Sequence, residues 1–432
     1  MSAQKMRPLS ALTLVSFLAA CASAGAHSAS APVAADSTAI HDDIAYLASD
    51  RLEGRLTGTA GNDSAATYIA RHYAKLGLRQ GSPGYLQKFV ARSAADAHNG
   101  NTSGRPTQNV VAVLPGSDPR LAGQYIVIGA HFDHLGHDSQ FALDPDAKDA
   151  IRNGADDNAS GTAAVMQLAR ILSTTHPRRS IIFASFSGEE LGLLGSQWFV
   201  DHPPVPLDSI VAMVNFDMVG RLNNNKLIVY GTATATELQG ILDSANARST
   251  VPFKVSGGGD GFGSSDQSSF YAKNVPVLHF FTDIHSDYHR ASDDIEKINS
   301  GGEARVVDLA TKVVRSIDDL PGRLSFVRIA ASSRMTSSTS SGSQVYLGSV
   351  PDMSAGDVPG LKLTGVRPGS PAELGGLKTD DIIVEFGGVK VTDLQSYSDA
   401  LYSHKPGDVV KVLVLRAGKP VEVLVTLGKR GG

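Results

Sequence analysis

Six short runs of apolar and β-branched residues constrain the fold of this chain more than any other feature. They read NVVAVL, QYIVIGA, SIIFASF, SIVAMVNF, KLIVY and VPVLHFF. Helical patterns lie between several of them; Val165, Leu168 and Leu172, for example, recur at helical spacing. Near-continuous apolar strands that alternate with helices are typical of a sheet covered on both faces. The sequence therefore predicts an α/β fold, with a mostly parallel or mixed sheet flanked by helices on both faces.

Composition divides the chain of 432 residues into predicted segments. Residues 331–344, ASSRMTSSTSSGSQ, are almost entirely Ser, Thr and Gly and predict a flexible linker. The linker separates a predicted main domain, residues 41–330, from a predicted small domain, residues 345–430. Residues 21–40 are rich in Ala and Ser and predict a tether, and a helical pattern begins at His41.

The first residues have the composition of an export signal. Lys5 and Arg7 precede ALTLVSFLAA, an apolar run that is too short to span a bilayer and ends in small residues. Residues 1–20 are therefore predicted to be a lipoprotein-type signal peptide, because Leu-Ala-Ala-Cys21 resembles a bacterial lipobox. We expect an exported chain held on a bacterial membrane by a lipid on Cys21. Ordinary cleavage near Ala24 would instead give a periplasmic or secreted protein.

Charge and cysteine content exclude other classes of protein. The 39 Lys and Arg residues against 43 Asp and Glu residues give a net charge of -4. Neither a nucleic-acid surface nor a polybasic membrane patch is expected from that balance. Cys21 is the only cysteine, so the exported domains must be stabilised by their cores rather than by disulfides.

Histidines and carboxylates follow the predicted strands where those strands end, which is where ligands bind in open α/β sheets. They are His131 and Asp133 after QYIVIGA, Glu189 and Glu190 after SIIFASF, Asp217 after SIVAMVNF, and His289 after VPVLHFF. Asp156 and Asp157, in GADDNASG, precede a predicted helix, although one carboxylate would be enough to cap it. Imidazole and carboxylate are ordinary zinc ligands, and paired zinc ions need a bridging ligand. The pattern predicts a metal site, and spacing alone leaves open which aspartate bridges.

Five ordered motifs make this prediction more specific. They are His131-x-Asp133, Asp157-Asn-x-Ser-Gly, Gly188-Glu189-Glu190, Asn215-x-Asp217 and Tyr288-His289. Over about residues 40–320 the chain thereby resembles the di-zinc aminopeptidases, a metallopeptidase family that includes relatives of glutamate carboxypeptidase II. The resemblance implies the zinc exopeptidase fold and two Zn²⁺ ions per chain. It implies the metal ligands as follows: Asp157 bridging, Glu190 and His289 completing one site, and His131 and Asp217 completing the other.

The same resemblance implies roles for the neighbouring carboxylates. Glu189 is expected to be the general base, which takes a proton from the attacking water and delivers it to the leaving amine. Two Zn²⁺ ions against three ligand carboxylates leave a positive charge that favours bound hydroxide. Asp133 is expected to hold the other imidazole N–H of His131, and Asp156 to orient Asp157.

Other residues compete for the ligand positions. The rivals are His134, His137 and Asp138, which follow His131, and His285, which precedes His289. The family pattern uses none of the first three, and the Tyr-His-x-x-Ser-Asp context favours His289 over His285. His279 lies within an apolar run and is predicted to be a core histidine.

The glycine-rich segment 256–270, SGGGDGFGSSDQSSF, lacks the Lys-Ser/Thr of a phosphate-binding loop. We predict a mobile loop over the substrate. Many relatives have Ser-Asp-His where this chain has Ser265-Asp266-Gln267, so the departure concerns the predicted substrate pocket rather than the metal ligands.

Beyond the linker, Val345-Tyr346-Leu347-Gly348 precedes LKLTGVRPGSPAELGGLKTDDIIVEFGGVKV, and two predicted strands meet at Ala417-Gly418-Lys419. This segment resembles a PDZ domain of the kind associated with bacterial proteases. The resemblance implies that a peptide or protein C-terminus binds as an added strand, with its carboxylate held by backbone N–H groups. The alternative is a domain that only packs against the catalytic one.

These features together predict a zinc-dependent exopeptidase, and we expect an aminopeptidase acting on peptides. The groups that would grip a free amine or a free carboxylate cannot be identified from the sequence, so a carboxypeptidase is the first alternative. A glutaminyl cyclase of the same fold would use one zinc ion, whereas this chain has the ligands for two. A non-catalytic peptide-binding adaptor would be expected to lack ligands or the base.

Overall fold

The computed structural model describes Met1 and residues 33–92, 104–138, 141–144, 147–329, 345–351, 358–366, 369–392, 396–397, 400–401 and 403–429. The rest of the predicted signal peptide, Cys21, most of the predicted tether and the predicted linker 331–344 lie outside these residues. Within the described parts of the chain, no helix has both the length and the apolar character needed to cross a membrane.

The first helix of the main body begins at Ser37, four residues before the predicted start at His41. The helices are α1 (Ser37–Leu47), α2 (Ala60–Lys75), α3 (Gly161–Leu172), α4 (Leu194–Asp201), α5 (Leu238–Ala247), α6 (Gln267–Ala272) and α7 (Ser300–Asp318). The Asp36 side chain caps α1 by accepting hydrogen bonds from the N–H groups of Thr38 and Ala39. Ile40 is fully buried, so the last residues of the predicted tether, from Ser37, belong to α1.

The sheet of the main body is mixed. Its strands are β1 (Arg79–Gln80), β2 (Leu86–Ala91), β3 (Arg105–Leu114), β4 (Tyr125–His131), β5 (Ser180–Phe186), β6 (Ile210–Phe216), β7 (Lys226–Tyr230), β8 (Lys254–Ser256) and β9 (Val277–Phe281). The order is β1-β3-β5-β4-β6-β9-β7-β8, and β2 pairs with β3. The central strands β5, β4, β6 and β9 run parallel to one another, whereas β3 and β7 are antiparallel to their central neighbours. The mixed-sheet prediction is therefore confirmed.

Helices cover both faces of this sheet, as predicted. On one face, Ile126 and Ile128 of β4 join a core that includes Val165 of α3 and Val306 of α7. On the other face, the intervening Val127 packs in a core with residues of α4 and α6. The strands are therefore buried on both sides, which explains their near-continuous apolar sequences.

The C-terminal body has a separate core of its own. Its strands are β10 (Val345–Tyr346), β11 (Ser349–Pro351), β12 (Leu361–Val366), β13 (Ile382–Phe386), β14 (Val389–Lys390), β15 (Val409–Arg416), β16 (Lys419–Thr426) and β17 (Gly428–Lys429), with a short helix α8 (Pro371–Leu374). The two strands predicted around Ala417 form the hairpin β15–β16. Ser370 caps α8, because its side chain accepts the N–H of Glu373.

Candidate metal centre

The parallel strands bring the predicted ligands together at one edge of the sheet. His131 ends β4, and Asp217 directly follows β6, its parallel neighbour. Glu190 follows β5 on the other side of β4. Asp157 lies in the turn that enters α3, and His289 lies in the loop after β9. Because the carboxyl ends of parallel strands meet at one edge, residues far apart in the chain converge here.

The ligand atoms form two sets. In the first set, His131 Nε2 lies 3.5 Å from Asp157 Oδ1 and 3.4 Å from Asp217 Oδ1. In the second set, His289 Nε2 lies 3.2 Å from both Asp157 Oδ2 and Glu190 Oε2. Ligands of one tetrahedral zinc, with bonds of about 2.0–2.2 Å, lie roughly 3.3–3.6 Å apart. The histidine-to-carboxylate distances in each set are thus close to those that a zinc ion requires.

Asp157 belongs to both sets through different oxygens. Its Oδ1 faces His131 of the first set, and its Oδ2 faces His289 of the second. A carboxylate in this position can bridge two ions. The geometry thus singles out Asp157 from its neighbour Asp156, which spacing in the sequence could not do.

Burial supports the same interpretation. His131 is 1% exposed, and Asp217 Oδ1 is buried without a hydrogen-bond partner in the described part of the chain. A buried carboxylate oxygen without a hydrogen-bond partner is costly in a protein interior. A cation bound by the first set would satisfy it, so the donor set fits a metal ion.

His134 stands beside the second set. Together with Asp157 and Glu190 it forms a group of potential ligands, as His131 does with Asp157 and Asp217. Its Nδ1 lies 2.7 Å from Glu190 Oε1 and 3.8 Å from Asp157 Oδ2. The first distance is that of a charge-assisted hydrogen bond and is shorter than the spacing of two zinc ligands.

The remaining rivals lie away from the ligand atoms. His285 Nε2 contacts Asp156 Oδ2 at 3.1 Å instead of the two sets. His137 is exposed on the chain that leaves the site. His279 is 7% exposed, lies 3.1 Å from the amide nitrogen of Asn215 and stacks on Tyr230. Burial lowers the pKa of His279 to about 4, as expected of the predicted neutral core histidine.

Glu189 lies at the edge of the first set. Its Oε2 is 3.9 Å from His131 Nε2. Burial raises the pKa of Glu189 well above its usual range, and the neighbouring Glu190 carboxylate adds to this effect while His131 opposes it. A buried carboxyl group beside the ligand atoms is suitably placed for proton transfer.

Asp133 makes different contacts from those predicted. Its main-chain carbonyl lies 3.2 Å from His131 Nδ1, whereas its carboxylate is 3.7 Å away. The carboxylate instead accepts hydrogen bonds from Thr57 Oγ1 at 2.8 Å and from the Glu189 N–H at 3.2 Å. The chain leaves β4 at His131, and the Asp133 carbonyl then lies beside Nδ1 of the ring. Asp133 therefore contacts His131 through the backbone and Glu189 through the side chain.

Asp156 is oriented away from both sets. Its Oδ1 accepts hydrogen bonds from the Gly220 N–H at 2.7 Å and from Ser160 Oγ at 3.0 Å. Its Oδ2 faces His285. These contacts hold the turn that carries Asp157, in agreement with the predicted supporting role.

Two supporting residues have no counterpart in the sequence analysis. Asp293 Oδ2 accepts the backbone N–H groups of Asp156 and Asp157 at 2.9 and 3.0 Å. The guanidinium of Arg55, which is fully buried, donates to the carbonyls of Phe132 and Gly154 among others. The Ser-Asp after His289 was the only available signal for Asp293, and a lone arginine such as Arg55 gives none.

The segment 256–270 is buried in its second half. Ser265 Oγ and Gln267 Oε1 both accept from the Asn215 amide, at 2.9 and 3.2 Å. Gln267 is 2% exposed and contacts Asn215 of β6, whereas Phe262 in the first half is exposed. The role of Gln267 in the substrate pocket stays a prediction.

Two segments of the chain match models of known protein families. Residues 109–314 match the model of peptidase family M28, and residues 334–427 match that of a PDZ domain, whose match begins inside the predicted linker. The chain is 28% identical over 311 residues to leucine aminopeptidase 2 of Trichophyton rubrum, covering 63% of this chain and 58% of that protein. It is 36% identical over 156 residues to a probable zinc metalloprotease of Pyrenophora teres f. teres, covering 35% and 30%.

The chain therefore spans little more than half the length of that leucine aminopeptidase. Among solved structures, a Zn-dependent exopeptidase from Parabacteroides distasonis superposes with a TM-score of 0.55 at 19% identity, covering 66% of this chain and 99% of that one. At this identity the likeness concerns the fold of the main body.

Proposed function

Because residues 109–314 form a domain of peptidase family M28, we propose that this chain is a two-zinc aminopeptidase that removes N-terminal residues from peptides. The observation that supports it most is the orientation of Asp157, whose two oxygens face different histidines. One ion would be held by His131, Asp157 and Asp217. The other would be held by Asp157, Glu190 and His289.

Zinc ions in these positions would polarise the scissile carbonyl and make water a better nucleophile at neutral pH. Glu189 accepts the proton of the attacking water and returns it to the leaving amine. Its main chain is fixed for this task by Asp133, whose carboxylate accepts the Glu189 N–H. The exposed fraction of the Glu189 side chain is 11%, so bulk water competes little for its proton.

The proposal is tested with a peptide, its N-acetylated twin and zinc-loaded protein, followed by mass spectrometry. Stepwise shortening of only the unblocked peptide from its N-terminus is expected, because an aminopeptidase needs the free amine. The control Glu189→Gln keeps the shape of the side chain and removes the base, so turnover should fall by about 10²–10⁴-fold.

Two results would contradict the proposal. Shortening of both peptides from the C-terminus would reveal a carboxypeptidase built on the same metal centre. Unchanged peptides with fully metallated protein would favour the adaptor. Zinc content measured on the same samples distinguishes two ions per chain from one.

We also propose that the PDZ domain binds a peptide C-terminus near the segment Val345–Gly348. In support, this segment leads into the short strand β11, which among the described residues pairs with β12 alone and can accept an added strand. A fluorescent peptide with a free carboxylate should bind, and its amidated twin should bind at least about tenfold more weakly because the charge-assisted bonds are lost. Equal binding of the two peptides would contradict this role.

Export and lipid attachment are proposed on sequence grounds. The run ALTLVSFLAA followed by Cys21 supports a lipoprotein signal. Labelling of expressing bacteria with a radioactive fatty acid should mark the protein, and Cys21→Ser should abolish the label. Release of unlabelled protein into the periplasm or medium would indicate ordinary signal cleavage.

A further inference from the structure

His134 is a buried histidine at the metal centre for which the predicted ligand scheme has no role. Its side chain is completely buried. Its Nδ1 lies 2.7 Å from Glu190 Oε1. The other oxygen of the same carboxylate, Oε2, faces His289 Nε2 at 3.2 Å. Glu190 therefore uses one oxygen for His134 and the other for the second ligand set.

Distance separates a ligand from a supporting residue at this position. Two atoms bound to one tetrahedral zinc lie roughly 3.3–3.6 Å apart, and the His289 contacts of the second set are close to this range. The His134–Glu190 contact is 2.7 Å, so these two atoms cannot share an ion in this arrangement. An Nδ1–H that donates to the carboxylate accounts for the distance.

Close packing restricts the ring of His134. Gly154 packs against it, and a Cβ built on Gly154 would lie 2.4 Å from the His134 Cγ. His289 also packs edge-to-face with the ring, with centroids 5.7 Å apart. His134 Nε2 has no hydrogen-bond partner among the described residues, so the contact with Glu190 is what orients the ring's polar atoms.

We propose that His134 is a positioning residue for the second zinc site: its Nδ1–H holds Glu190 Oε1, so that Oε2 stays directed at the ion shared with His289. The proposal rests on the proposed two-zinc function. It gives one of the rival histidines of the sequence a role that is distinct from ligation. Because a carboxylate rotates about its terminal bond when only one oxygen is held, loss of this contact weakens the second site and leaves the first site intact.

Three substitutions in the full chain separate these roles. His134→Asn keeps an N–H donor at the position of Nδ1, His134→Gln moves the donor to the position of Nε2, and His134→Leu removes it. Zinc bound per chain is measured over a series of chelator-buffered free zinc concentrations. The metal-free proteins are compared by thermal unfolding, so that a folding defect is recognised separately from a loss of zinc.

We expect His134→Asn to bind both ions nearly as the parent does. We expect His134→Gln and His134→Leu to require about 10–100-fold more free zinc for one of the two ions, the magnitude typical of residues that orient a ligand. Equal weakening in all three variants would identify His134 as a ligand, and no weakening in any of them would show that the contact is idle; either result overturns the inference. A parent protein that binds no zinc would instead overturn the proposed function.

Discussion

The two ligand sets share Asp157 but are built on different parts of the fold. His131 and Asp217, of the first set, lie at the ends of adjacent parallel strands, which pair through Gly129 and Asn215. Glu190 and His289, of the second set, lie in loops beyond the ends of their strands. His289 also has a positive φ of 53°, a conformation that a non-glycine residue adopts only when its surroundings enforce it.

The difference concerns what fixes a ligand in space. Strand hydrogen bonds position the first set, and those bonds exist whether or not a metal is bound. The second set depends on side-chain and loop contacts: the Phe141 carbonyl lies 2.9 Å from His289 Nδ1, and His134 holds Glu190. We therefore expect the second ion to be the more easily lost of the two on titration with a chelator.

Asp157→Asn is expected to have the largest effect, because it removes the residue that the sets share. An amide has one oxygen for metal and cannot bridge two ions as a carboxylate does. We expect loss of zinc from both sets and a decrease in kcat/KM of about a thousandfold or more, equivalent to several kcal/mol of metal-ion catalysis. Zinc content and peptide turnover measure this.

Asp156→Asn is the matched control for that variant. Asp156 supports the turn without facing either ligand set, so we expect kcat/KM to decrease by only about 10–100-fold. Equal losses of zinc and of kcat/KM in the two variants would contradict a bridging role that belongs to Asp157 and not to Asp156.

Arg55→Met tests whether Arg55 links the end of β4, at His131, to the turn that carries Asp157. The Arg55 guanidinium donates to the carbonyls of Phe132, next to His131, and of Asn153 and Gly154, before the Asp157 turn. Its loss leaves buried carbonyls without donors, so the free energy of unfolding of the metal-free protein should fall by about 3–5 kcal/mol. Denaturant titration gives this value.

Arg51→Met, at an exposed arginine of the same segment, should change the free energy of unfolding by no more than about 0.5 kcal/mol. Arg55→Lys should be intermediate, because an ammonium cannot reproduce the forked donors. An Arg55→Met protein with the same free energy of unfolding as the parent would show that the two ligand-bearing segments hold their positions without the hydrogen bonds of Arg55.

Asp43→Asn tests whether the buried carboxyl group of Asp43, in α1, affects the stability of the fold without affecting zinc binding. Burial raises the pKa of Asp43 to about 6 from 3.8, although Tyr68 donates to it at 2.7 Å. The folded state therefore binds this proton more tightly than the unfolded state, and stability is lost as pH rises from about 4 through about 6. Asparagine cannot ionise, so the variant should gain relative to the parent over this range, by at most about 3 kcal/mol.

Unfolding midpoints at pH 4, 5, 6 and 7 measure this gain, and zinc content should stay unchanged. Asp42→Asn, at the exposed neighbour, is the control and should give no comparable trend. A parallel change in zinc content would mean that the supporting network of the ligand sets extends into α1.

The ligands at the strand ends can be predicted from the sequence more readily than the residues that support them, for a physical reason. Apolar runs locate strand ends, so residues such as His131 and Asp217 are found by local pattern. The direction of a carboxylate oxygen is a property of tertiary structure, so local spacing alone could not show that the two oxygens of Asp157 face different histidines. Arg55 and Asp293 act through backbone atoms of distant segments, which leave no mark on the residues contacted.

Asp293→Asn is expected to have the smallest effect of these substitutions, and it acts mainly on the second ligand set. Asp293 joins the His289 loop to the Asp157 turn, because its Oδ2 accepts the N–H groups of Asp156 and Asp157 and its Oδ1 pairs with Arg221 at 3.0 Å. An asparagine has only one acceptor oxygen, so it can accept these two N–H groups or pair with Arg221, but not both. We expect the affinity for the second zinc to fall by about tenfold, at the low end for a supporting residue.

The first zinc should be affected less, since His131 and Asp217 keep their strand contacts. The ratio of the two zinc affinities is therefore the informative quantity, and it is obtained from the chelator-buffered titration of parent and variant. Equal weakening of both ions would mean that Asp293 acts on the shared Asp157 turn alone. A larger loss of affinity for the second ion than for the first would mean that Asp293 acts through its link to the His289 loop. In that loop no strand of the described residues holds the ligand in place.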